Sequence, residues 1–146
     1  MKRLTVPPPL LFIGCAGLMW YLPPVYEFSA NRYVIGFILL IAAGIAAGGL
    51  YQFYRANTTA SPLNLDNTSV LVVTGVYAFS RNPMYLSLLL ALIAWFLWLG
   101  AVSAIIGPLL FIGLMNYLQI KPEEIMLAKL FGAAYQAYCA KVRRWL

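Results

Sequence analysis

Histidine is absent from this chain, cysteine occurs twice and acidic residues only four times. Each scarcity closes a class of function. Without histidine there is no Ser-His-Asp triad and no histidine-ligated haem, and a zinc site is all but excluded. Cys15 and Cys139 lie at opposite ends of the chain and form no C-x-x-C pair, so neither a metal site nor a disulfide framework is expected. Charge is thin throughout: 10% of the 146 residues are charged, against about 25% in a typical soluble domain. Apolar residues make up 63%, where about 45–50% is usual. A chain this short has too much surface to cover for a rich core to explain that excess. Its main solvent is therefore lipid, and its length allows one domain, residues 1–146.

What charge there is punctuates apolar runs. The ten Lys and Arg residues sit at the ends of uncharged stretches and form no continuous face, which argues for orientation in a bilayer and against nucleic acid as a partner. The uncharged stretches predict an all-α integral membrane protein with about four transmembrane helices, at approximately 8–23, 34–54, 83–99 and 101–120. The first is bracketed by Pro7-Pro8-Pro9 and Pro23-Pro24, and prolines are tolerated in a first helical turn. The second carries Gly44 and Gly48 among alanines, a G-x-x-x-G face on which a neighbouring helix or a second copy could pack. The 39 uncharged residues between Arg81 and Lys121 are too many for one span and suit two, joined by a turn near Leu99-Gly100, with Gly107-Pro108 kinking the fourth.

Two segments differ in kind. The loop 55–82 is the one extended polar region and holds a strand-like run, Ser69 to Val73. The C-terminal segment 122–145 places Leu127, Phe131, Tyr135, Tyr138, Val142 and Trp145 at steps of three or four, which predicts an amphipathic interfacial helix. With four spans, nine of the ten basic residues fall on one side and only Arg32 on the other. The positive-inside rule then makes both termini and the 55–82 loop cytoplasmic, in a bacterial-type inner (plasma) membrane.

Polar groups able to do chemistry cluster on that side. Ser80-Arg81-Asn82-Pro83-Met84-Tyr85 reads first as a helix start, with Asn82 as N-cap and Pro83 at the first position. The same helix end could receive a carboxylate or phosphate. Glu123 and Glu124 follow Pro122 and read as dipole complementation, or as a place for a cation. Lys141-Val142-Arg143-Arg144-Trp145 reads as a topology signal that could also close over an anion. Without an activated nucleophile or a metal, chemistry here would rest on bringing two bound reactants together.

The run Leu71-Val72-Val73-Thr74-Gly75-Val76-Tyr77, continued by Ser80-Arg81-Asn82-Pro83-Met84-Tyr85, resembles the LVTxGxYxxxRHPxY signature of the isoprenylcysteine carboxyl methyltransferase and phospholipid methyltransferase family. The tail from Glu123-Glu124 through Phe131-Gly132, Tyr135 and Tyr138 to Arg143-Arg144-Trp145 is similar to that family's C-terminal block. Thr58-Thr59 with Pro62 resembles an upstream part of it. The resemblance implies S-adenosylmethionine-dependent methyl transfer to a membrane lipid or other lipophilic acceptor. It implies cofactor binding by Arg81, Asn82, Pro83, Tyr85, Glu123 and Glu124. No metal is implied, and Tyr77, Tyr85 and Glu124 are the candidates for a general base. Asn82 stands where the signature has histidine, and Gln119 and Lys121 stand near where prenylcysteine-processing members have an arginine, which argues against prenylcysteine as the acceptor. A non-catalytic membrane subunit, packing on a partner through Gly44 and Gly48, is the contrasting reading.

Overall fold

The computed structural model describes residues 6–56 and 70–146. The Thr58-Thr59 match and Ser69 lie outside them. Among the described residues every regular element is helical: α1 (Pro8–Tyr21), α2 (Arg32–Arg55), α3 (Pro83–Leu99), α4 (Ile106–Met115) and α5 (Lys121–Lys141). Short 3-10 turns at Gly75–Ala78 and Val102–Ile105 lead into α3 and α4. Val70 to Val73, expected to be strand-like, pair with no strand among the described residues, and Val70, Leu71 and Val72 instead form part of a cavity wall.

α2 is the most apolar long helix, with a mean hydropathy of 2.3 over its best window, yet only 11% of that window is buried in the protein. A core helix of a soluble protein would be covered, whereas this one presents Tyr33, Phe37, Leu40, Leu50 and Tyr54 outward. A second continuous helical run, Val102–Lys141, is also long and apolar enough to cross a membrane. α1 and α3 are apolar but shorter.

α3 is the hub, touching α2 as well as α1 and α4. Its buried residues Leu89 and Leu92 join Cys15 and Met19 of α1 with Phe111 and Met115 of α4 in the main core. Cys15 and Met19 share a face because they are four residues apart on a helix. Gly49, rather than Gly44, is where α2 comes close to α3: a Cβ there would sit 3.0 Å from Met84 Cγ. Gly48 faces Val76, and Gly44 meets nothing within 4 Å.

The α3–α4 turn falls at Gly100, which adopts the left-handed conformation (φ 65°) and accepts a 2.7 Å bond from the Phe28 N–H. A Cβ at Gly100 would run into the Phe28 carbonyl, so the position requires glycine on two counts. The same end of the bundle carries a stack of three tryptophans: Trp95 and Trp98 have centroids 4.9 Å apart, and Trp20 lies 5.9 Å from Trp95.

Three details depart from sequence-based expectation. Gly107-Pro108 falls in the first turn of α4, so it does not kink a helix interior. The irregularity comes later, as a π-helical turn at Asn116–Ile120 just ahead of Pro122. Pro122 has no N–H to donate and its ring presses on the preceding turn, which a widened turn relieves. The C-terminal helix ends at Lys141, leaving Val142 extended and Trp145 outside the helix, and it breaks internally at Gly132 (φ 48°, ψ −121°). Tyr135, Tyr138 and Val142 still bury together against Leu127 and Phe131.

Candidate functional site

The starts of α1, α3 and α5 and the C-terminal part of α2 surround a cavity of about 420 Å³, within the range of small-molecule sites. Arg81 and Asn82 reach it from the approach to α3, Tyr85 from the first turn of α3, and Glu123 and Glu124 from the first turn of α5. Tyr77, Tyr135 and Tyr138 close its sides. Of the residues expected from the sequence to bind cofactor or act as a base, Pro83 alone does not line the cavity. It is buried as the first residue of α3, where its fixed φ starts the helix.

Asn82 does not cap α3 with its side chain, contrary to expectation. Its amide donates instead to the Arg144 carbonyl at 2.9 Å, while its backbone N–H is satisfied by Ser80 Oγ at 3.1 Å. The Arg81 N–H likewise donates to the Arg143 carbonyl at 3.0 Å. Trp145 Nε1 reaches Asn116 Oδ1 at 3.2 Å, in the π turn. The tail is thus laced to three elements and closes over an anion of its own chain, Glu124. Arg144 grips Glu124 with two parallel bonds, Nε to Oε1 at 3.0 Å and Nη2 to Oε2 at 2.7 Å. Arg81 Nη1 stands 3.1 Å from Oε1 on the other side and also donates to Cys139 Sγ at 2.7 Å. Planar, two-pronged pairing of this kind is specific to arginine.

Glu123, its neighbour in sequence, has other company. Its Oε1 accepts the Tyr85 hydroxyl at 2.5 Å. The ion pairs among the described residues all go to Glu124. Burial pushes the Glu123 carboxyl up to about 7, the negative charge of Glu124 adds to the rise, and the Tyr85 bond works against it. Burial also raises the Tyr77 phenol well above its ordinary range and pushes Tyr138 up to about 12. The Tyr138 hydroxyl donates to the Tyr77 carbonyl at 2.6 Å, which fixes the 3-10 turn to α5. One polar atom is left over: Arg81 Nε is buried without a partner among the described residues. Such an orphan is uncommon and calls for a ligand.

Residues 31–134 match the phospholipid methyltransferase family, a span holding Arg81, Asn82, Tyr85, Glu123 and Glu124. This chain belongs to that family. An uncharacterized protein of Haemophilus influenzae is 54% identical over 63 residues, which are 43% of this chain and the whole of that protein. No solved structure matches. The family is one of methyltransferases, and the outward-facing apolar α2 agrees with membrane association. Tyr135, Tyr138 and Arg144 lie beyond the matched span. In the sequence the tyrosines read as an apolar stripe, with nothing to mark them as cavity walls. Phe53 and Cys139 carried no signal at all.

Proposed function

We propose that this chain transfers a methyl group from S-adenosylmethionine to a lipophilic acceptor at the cytoplasmic face of the membrane. The carrying observation is the cavity itself. An orphaned guanidinium nitrogen on Arg81, a carboxyl on Glu123 and several tyrosine faces surround a space whose remaining walls are largely apolar. Arg81 and the tyrosines fit the cofactor: Arg81 Nε would meet its carboxylate, and the Tyr77, Tyr85 and Tyr138 rings would attract its positive sulfur by about 0.5–2 kcal/mol per favourable face. When bound, the cofactor supplies a methyl group on a sulfonium. Glu124 would act from behind, because both its oxygens are taken by arginines and it holds the Arg81 guanidinium in place. Asn82 would act in the same way by tying the tail to the cavity rim.

The acceptor would enter through the apolar side, where Ala46 and Phe53 of α2 face Met84 and Leu88 of α3. Walls of this kind exclude water and align reactants. In this reading α1, α2, α3 and the run from Val102 to Ile120 are four spans, with both termini and the cavity at the cytoplasmic side. Nine of ten basic residues then lie inside.

Calorimetric titration of the detergent-solubilised protein with S-adenosylhomocysteine tests the proposal. Saturable binding is expected, weakened about tenfold or more in Arg81→Ala, in keeping with loss of a charge-assisted bond. Folded protein that takes up no ligand would instead favour a non-catalytic subunit, for which Gly44, open to its surroundings, offers a packing face.

A further inference from the structure

We infer that Glu123, held by the Tyr85 hydroxyl, accepts the proton an incoming acceptor must lose as it is methylated; this rests on the methyl-transfer reading above. The chain has four acids: Glu27 is at the opposite end of the bundle, and Asp66 lies outside the described residues. Of the two acids at the cavity, Glu124 is clamped between Arg81 and Arg144, with both of its oxygens already engaged. Glu123 has no cation against it among the described residues, and the Tyr85 bond engages Oε1 only. No partner of Oε2 is found among the described residues, and Glu123 lines the cavity.

The other candidates for a base fare worse. The Tyr77 phenol is driven further from ionisation by its burial. The Tyr85 hydroxyl already donates its hydrogen to Glu123. The groups facing Glu123 are Tyr85 from α3, Tyr77 from the 3-10 turn and Glu124 from its own helix, while Arg81 across the cavity is committed to Glu124. Burial and the Glu124 charge leave the carboxyl near half-ionised around pH 7, the condition under which a group both takes and returns a proton efficiently.

The step balances. The acceptor's X–H bond, with X nitrogen, oxygen or sulfur, gives its proton to Oε2, and the carboxylate becomes a carboxylic acid. The electron pair left on X forms the new bond to the methyl carbon, and the old carbon–sulfur pair stays on sulfur. A cation and an anion in a low-dielectric cavity are both neutralised, which favours the forward direction.

Infrared titration in detergent tests the assignment without any acceptor. A carboxylic acid band that titrates near pH 7 is expected, lost in Glu123→Gln and moved to higher pH in Tyr85→Phe, because the bond that favours the ionised form is gone. No such band in folded protein overturns the inference. The second arm compares S-adenosylhomocysteine affinity with transfer of labelled methyl from S-adenosylmethionine to a total bacterial lipid extract. Glu123→Gln should keep near wild-type affinity while transfer falls about hundredfold or more and loses its rise with pH, which Glu123→Asp should restore. Parallel loss of affinity and transfer would make Glu123 a cofactor ligand and overturn the proton role. Wild-type protein that binds no S-adenosylhomocysteine, or that binds it but methylates no lipid, would instead bring down the methyl-transfer reading and the inference with it.

Discussion

Glu123 and Glu124 are chain neighbours with opposite surroundings, one against a phenol and one between two guanidiniums. A helix turns about 100° per residue, so adjacent side chains answer to different neighbours. Their separate roles were not legible in the sequence, where the pair reads as two acids in a first turn. What distinguishes them is Arg144, which arrives from 20 residues further on by way of a break at Gly132 and an extended tail. Replacing Glu124 by Gln leaves Arg81 and Arg144 partly buried without their counter-charge. We expect a loss of about 1–3 kcal/mol, seen as a lowered unfolding temperature in detergent. An unchanged temperature would show the clasp to be a surface pair of little weight.

At the scale of elements, α3 was the most readable. Asn82-Pro83 marks its start and Gly100 its end, because proline suits a first helical position and glycine the left-handed residue after a last one. The contact between α2 and α3 was less so. A run of Gly and Ala announces that a helix can be approached closely, yet leaves open which glycine is used. The structure uses Gly49, beside Met84 and Tyr77. Gly49→Leu should therefore cost about 1–3 kcal/mol through overpacking, whereas Gly44→Leu should leave thermal unfolding near the wild-type value. Equal effects from the two would contradict this packing. The π turn before Pro122 was also hidden, since nothing in Asn116 to Ile120 distinguishes a widened turn from an ordinary one.

For the whole molecule, helical class follows from uncharged runs whose backbone must satisfy its own hydrogen bonds in lipid. The convergence of distant polar residues on one cavity did not follow from periodicity. Charge placement put those residues at helix ends on one side of the bilayer, and likeness to a family joined them into one site. The turn at residues 25–28 and that at 100–103 are bonded together, so they share one end of the bundle. With four spans, cysteines placed at the exposed Tyr26 and Val102 should label from outside the cell, and those at Phe79 and Leu146 only from inside. Labelling of Tyr26→Cys and Phe79→Cys from the same side would rule that arrangement out.

The three stacked indoles at that end give the molecule an optical signature. Rings of Trp95 and Trp98 at 4.9 Å and 14° to one another, with Trp20 alongside, are close enough for their excited states to mix. The resulting near-ultraviolet circular dichroism depends on α1 and α3 staying in register. Because Trp145, the fourth tryptophan, stands at the opposite end, next in sequence to the Arg144 that holds Glu124, its fluorescence can report ligand while the stack reports whether the bundle is intact.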